Sequence, residues 1–298
     1  MNSNRDARAS ADAPATSRQA DSNLTRRVAS AAVLAPIALC GAYLGGWPFF
    51  VLCGVTGGVI LWEWTRLVTG GSDAKILIPG LLALAAAVTL TGLGHPDEAI
   101  AAVAVGAAVS GCAGAVARDP AANMRYPWLW AAAGPLYAGA AFLGPALLRR
   151  DPEWGLTAVL FLAATVWITD ILAYFVGRAV GGPLLWPRVS PRKTWAGAIG
   201  GAAGGVAAGA LVAYASGIDK VVGIGAIALL LSVLAQAGDL FESAVKRRFG
   251  AKDASHLIPG HGGVMDRLDG FLVAALAALL IGLMRQGASA PAYGLLIW

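Results

Sequence analysis

The chain has 298 residues, of which 57% are hydrophobic and only 13% charged, with a mean hydropathy of +0.67, whereas ordinary soluble domains carry roughly 25% charged residues. That balance excludes a soluble globular enzyme. It also excludes disorder beyond the chain ends, because a disordered chain needs low hydrophobicity and high charge. The formal charge of +5 does not by itself indicate a nucleic-acid partner, and none is expected; in a membrane protein the position of the charges says more than their sum. The class is an all-α polytopic membrane protein, in which 39 glycines and abundant alanine let helix backbones approach closely.

Residues 1–23 are polar, small and proline-containing, and read as a disordered N-terminal tail. The first apolar stretch begins only near Val28, which argues against a cleavable signal peptide. A span needs about 20 apolar residues to cross a hydrocarbon core of roughly 30 Å. Runs of that kind fall at 28–46, 47–65, 76–94, 99–117, 127–148, 155–177, 195–217, 221–245 and 269–288, so nine spans are predicted. The apolar residues Tyr293 to Trp298 are too few for a tenth. Residues 24–150 are expected to form an N-terminal group of transmembrane helices and 151–298 a C-terminal transmembrane region that carries the polar loops described below. Cys40, Cys53 and Cys112 all lie inside apolar runs, with no metal-type spacing, and read as packing residues.

Lys and Arg favour cytoplasmic loops. With the N-terminus inside, 18 of the 22 cations fall on inner segments, leaving Arg149, Arg150, Lys220 and Arg285 outside. This orients the cation-rich loops toward the cytoplasm, with Arg149-Arg150 the exception, and the cytoplasmic (inner) membrane is the expected location. No internal repeat is visible, which weakens a transporter built on inverted halves.

Cations, glycines, prolines and carboxylates concentrate in two inner loops, 178–194 and 246–268. Asp239 and Glu242 stand just before the second loop, at the end of an otherwise apolar helix. Carboxylates at such depth are costly and are usually paired, metal-bound or water-facing. Asp266 and Asp269 are spaced i, i+3 and share one face of a helix. With Asp239 they offer three carboxylates for one or two hard divalent cations, Mg2+ above all, which commonly binds through one or two carboxylates plus substrate phosphates. Gly260, Gly262 and Gly263 allow backbone N–H groups to face an anion. Lys246, Arg247, Lys252, His261 and Arg267 surround them with positive charge. The bland alternative is a charged helix start beside a topogenic patch.

The stretch from Ser243 to Asp269 resembles the signature of the phosphatidate cytidylyltransferases (CDP-diacylglycerol synthases): Ser-x-x-Lys-Arg, then Lys-Asp, then Pro-x-His-Gly-Gly-x-x-Asp-Arg-x-Asp. Ser243, Lys246, Arg247, Lys252, Asp253, Pro259, His261, Gly262, Gly263, Asp266, Arg267 and Asp269 all match. Asp170, Ala173, Tyr174, Gly177 and Arg178, followed by Ser190-Pro191-Arg192-Lys193-Thr194-Trp195-Ala196-Gly197, are similar to two further segments of that family. There Arg192 replaces the usual Lys, and Ala196 the common Glu. Trp62-Glu63-Trp64 gives a weak echo upstream and reads as an interfacial anchor set.

The resemblance implies that CTP and phosphatidic acid react in the membrane to give CDP-diacylglycerol and pyrophosphate. On that reading Asp239, Asp266 and Asp269 hold the metal, with Lys246 and Arg267 beside them. Ser190, Arg192 and Lys193 hold the lipid phosphate; Lys246, Arg247, Lys252 and His261 neutralise the triphosphate; Gly262, Gly263 and Asp170 line the substrate site. Two rivals remain. A CDP-alcohol phosphotransferase would need further acids after Asp269-Gly270, and none follows. A cation-coupled transporter would use Asp170 and Asp239 within their hydrophobic segments. Gly197, Gly201 and Gly205 form an i, i+4 series that suits a homodimer face or packing within one chain.

Overall fold

In the computed structural model the described residues are 33–71, 73–116, 126–258 and 262–298. The N-terminal tail, Arg118, Arg125, Pro259, Gly260 and His261 lie outside them. Eight helices are long and apolar enough to cross a membrane: α2 (Gly46–Thr69), α3 (Ala74–Leu93), α4 (Pro96–Val116), α5 (Pro127–Arg149), α6 (Gly155–Val180), α7 (Trp195–Ala215), α8 (Val221–Arg248) and α9 (Met265–Gln286). Before them comes α1 (Val33–Leu44), a shorter apolar helix. Of the nine predicted spans, the first is thus described only from Val33 onward and is too short over that length to be counted with the other eight.

Helix starts follow local chemistry. Asp73 accepts a hydrogen bond from Lys75 N (2.9 Å) to open α3, and Thr194 Oγ1 accepts one from Gly197 N (3.1 Å) to open α7. Asp151 accepts from Glu153 N (3.0 Å) and Trp154 N (2.8 Å) in the turn that enters α6. The predicted boundary at 150 falls at that turn. Even so, one apolar cluster runs through both halves, from Ala42 to Leu296. The helix at its centre is α5, which packs on α2 and α4 on one side and α9 on the other; Phe142, Leu147 and Leu148 on it are fully buried. Large apolar side chains such as Leu82, Val105, Ile199 and Leu211 are exposed around the outside, as expected where lipid replaces water.

The loop between α6 and α7 is an antiparallel hairpin, β1 (Leu184–Trp186) with β2 (Ser190–Thr194), pairing Leu184 with Thr194 and Trp186 with Ser190. It lies at the same end of the bundle as the α8–α9 loop. At the opposite end, two of the cations that break the charge rule have structural partners. Arg149 donates to Ala42 O (2.5 Å) and Tyr43 O (3.1 Å), near the end of α1. Its guanidinium fills the space that a Cβ on Gly45 would need, and Gly45 has φ +64° besides. Arg285 donates to Gly294 O and stacks 3.9 Å from the centre of the Trp298 ring. That contact ties down α10 (Pro291–Leu296), whose Leu295 and Leu296 are buried.

The glycine series that suits a homodimer face packs inside the chain instead. A Cβ on Gly197 would stand 2.6 Å from Ala173 O, one on Gly201 2.6 Å from Thr169 O, and one on Gly205 2.9 Å from Thr165 O. The absence of side chains lets α7 lie directly on the carbonyls of α6. Gly201→Leu should therefore force the two helices apart and lower stability by about 1–3 kcal/mol, seen as a fall in the thermal unfolding midpoint in detergent. Ile199→Ala, at a position 67% exposed, should leave the midpoint unchanged.

Candidate active site

A cleft of about 810 Å³ opens between the hairpin and the ends of α6, α7, α8 and α9. Asp170 (α6), Asp239 (α8), Asp266 and Asp269 (α9) line it, together with the cations Arg178, Arg192, Lys193 and Arg267. Tyr174, Ser190, Thr194 and Gln236 add polar edges. Asp170 lies ten residues before the end of α6, about 15 Å at 1.5 Å per residue. The cleft thus reaches well below the hairpin, into the span region.

Each carboxylate has a distinct set of partners. Asp239 Oδ2 meets the Lys193 ammonium, with both side chains over a quarter exposed, and Ser243 Oγ donates to Oδ1 only at 3.4 Å. Asp269 Oδ1 accepts from Gly270 N (2.7 Å), and no partner among the described residues takes Oδ2. Asp170 has no hydrogen-bond partner among the described residues. Asp266 is fully engaged: Lys246 Nζ donates to Oδ1 (2.5 Å), and Ala254 N and Gly263 N each donate to Oδ2 (2.8 Å).

Behind the cleft, Lys246 stands between two acids. Its ammonium also donates to Glu242 Oε1 (2.9 Å), and Glu242 Oε2 takes a long 3.5 Å contact from the Tyr137 hydroxyl. Glu242 is fully buried and Lys246 is 8% exposed. Lys246, expected as a phosphate-binding cation, is thus paired here with Glu242 and Asp266. Arg247 is exposed and donates to Ala251 O (3.0 Å), and Lys252 is exposed. His261 lies outside the described residues.

The paired glycines shape the loop beside Asp266. Gly263 N points at a carboxylate, but that carboxylate is the protein's own Asp266. Gly262 has φ +82°, and its carbonyl accepts from Ile258 N (2.8 Å). A Cβ on Gly263 would run into the Glu63 carboxylate.

Glu63 is the residue that sequence reasoning passed over. It is no interfacial anchor: it is wholly buried. Its Oε1 accepts from Ser255 Oγ (2.5 Å) and Val264 N (2.9 Å), and its Oε2 from Met265 N (2.6 Å). Trp64 beside it is buried and donates to Trp130 O (2.9 Å). An acid inside an apolar run was the available signal. Glu242 carried the same signal.

Ser190, Arg192, Lys193, Asp170, Asp239, Asp266, Arg267 and Asp269, all predicted as site residues, thus come together in one cleft, with Arg178 and Tyr174 added. Lys246 is held behind it. Among the described residues no three His, Cys, Asp or Glu side chains gather closely enough to cage a metal ion unaided.

The sequence matches the family model described as "Cytidylyltransferase family" over residues 25–284. It is 44% identical over 261 residues to the phosphatidate cytidylyltransferase of Brucella abortus biovar 1 (strain 9-941), covering 88% of this chain and 94% of that protein. It is 37% identical over 290 residues to the phosphatidate cytidylyltransferase of Pseudomonas aeruginosa, covering 90% of this chain and 100% of that protein. A shorter match, 37% over 138 residues, joins 46% of this chain to 51% of the phosphatidate cytidylyltransferase of Bacillus subtilis.

The buried charge cluster makes a direct prediction. Lys246→Met keeps an unbranched side chain only one atom shorter but leaves Glu242 and Asp266 facing each other without a cation. Stability should fall by about 3–5 kcal/mol, the cost of stranding a buried charge, measured as lost folded protein on heating in detergent. An unchanged unfolding midpoint would show that the cluster does not hold the loop.

Proposed function

The chain belongs to the cytidylyltransferase family, and from that premise we propose that it joins CTP to phosphatidate, releasing pyrophosphate and leaving CDP-diacylglycerol in the membrane. The observation that carries the reading is the cleft itself: carboxylates from three helices face the cations of a hairpin at the end of a membrane-embedded bundle. Two polyanions must meet in this reaction, and their repulsion has to be offset before one phosphate can approach the other.

The phosphatidate monoester is largely dianionic near neutral pH, with a second pKa of about 6. One of its oxygens attacks the α-phosphorus of CTP. The new P–O bond forms as the bond from the α-phosphorus to the bridging oxygen breaks, and the electron pair leaves with pyrophosphate. No general base is needed, so the site's task is positioning and charge neutralisation.

Ser190, Arg192 and Lys193 hold the lipid phosphate. Arg178 and Arg267, in the same cleft, take the triphosphate role expected for Lys246, and exposed Arg247 and Lys252 help to draw the nucleotide in. Lys246 acts at one remove, by fixing Asp266. Asp269 and Asp170 keep carboxylate oxygens without a partner among the described residues, Asp239 would offer one on release from Lys193, and Asp266 would join them only by giving up Lys246. That donor set suits Mg2+, which commonly takes one or two carboxylates and completes its shell with phosphate oxygens and water. Bound there, it would neutralise charge on the departing pyrophosphate.

The distribution of Lys and Arg supports a cytoplasmic-membrane protein with the cleft facing the cytoplasm, where CTP is found. The transporter alternative has no support: neither the cleft nor any relative named above favours it.

Purified protein in detergent, given phosphatidic acid, Mg2+ and radiolabelled CTP, should move label into the organic phase. Folded protein that transfers none would overturn the reading. Asp239→Asn and Asp269→Asn should each lower turnover by about 10²–10³, the usual loss when one stabilising group of a reacting centre is removed, while the protein remains folded. Wild-type rates in both would remove these carboxylates from the chemistry.

A further inference from the structure

We infer that Glu63 is a positioning residue for this site, a latch through which α2 sets the placement of the acid-bearing start of α9. The inference rests on the function proposed above and adds a residue that lies 202 positions in sequence from its partner Met265.

The Glu63 carboxylate is fully buried and makes three short contacts, all to the segment that leads into α9. Val264 N and Met265 N are among the first amides of that helix, which have no partner inside it. A carboxylate accepting from them both satisfies the amides and suits the positive end of the helix dipole. Ser255 Oγ brings the far arm of the loop to the same carboxylate. Gly263 leaves no room between loop and acid for any side chain.

Asp266 begins the next step of the same chain of contacts. It lies one residue beyond Met265 and gathers Lys246, Ala254 N and Gly263 N. Asp269, one helical turn further on, lines the cleft. The start of α9 is thus gripped from α2 by Glu63 and from α8 by Lys246, and the rotation of α9 fixes where Asp269 stands. Glu63 itself does not line the cleft, so it acts through the helix and not on the substrate.

Glu63→Gln separates this role from simple packing. The amide oxygen can still accept from Ser255 and Val264, but the amide nitrogen then faces Met265 N–H, donor against donor. In the assay with radiolabelled CTP, kcat per folded molecule should fall by about 10²-fold, the scale of loss when reacting groups are misplaced by about 1 Å, with KM for CTP little changed. Hydrogen exchange at Val264 and Met265, read by mass spectrometry, should speed up. Glu63→Asp, which keeps the charge on a shorter arm, should recover part of both. Unchanged exchange together with wild-type kcat would overturn the latch. So would a lower folded fraction with wild-type kcat per folded molecule, which is the mark of packing alone. An inactive wild type would overturn the proposed function instead, and the exchange measurement would still decide whether Glu63 grips α9.

Discussion

The Lys246 ammonium, closed between Glu242 and Asp266, is the interaction on which the rest of the site depends. Charges out of water are tolerated only when paired and hydrogen-bonded, and here the pairing is shared. Lys246 serves two acids, Tyr137 leans on one of them, and two loop amides complete the other. These contacts join α5, α8, the α8–α9 loop and the start of α9. A loop rich in glycine and charge would otherwise have little apolar surface with which to hold a fixed shape.

That arrangement divides the acids between two tasks. Asp266 and Asp269 share a helix face as their spacing requires, yet Asp266 commits its oxygens to Lys246 and the loop while Asp269, lining the cleft, keeps one without a partner among the described residues. The hairpin brings Ser190, Arg192 and Lys193 across from them. The cleft therefore sits where the C-terminal helices meet, and its rear wall is fastened to α2 and α5 of the N-terminal group.

Much of this is legible in the residues. The apolar runs anticipate the eight long helices, and the two charged loops anticipate the cleft, because polar residues in so apolar a chain have few places to go. What the residues do not reveal is which polar group meets which. Glu63 and Met265 are 202 residues apart, and no local pattern joins them. Lys246 reads as a free cation because its second partner, Asp266, lies 20 residues on. Arg149 reads as a breach of the charge rule because its carbonyl partners belong to α1, more than 100 residues earlier (107 and 106 positions). The glycine series on α7 is a close-packing face, as its spacing indicates, but periodicity alone does not name the helix on the other side.

The contact between Lys193 and Asp239 bears on the energetics of filling the cleft. Each group neutralises the other, so neither charge stands alone. An incoming phosphate that took Lys193, as proposed, would set Asp239 loose at the same moment. On the proposed function, ligand entry at this point would be an exchange of partners, and the arriving anion would also uncover the oxygen with which a cation accompanying it could be held.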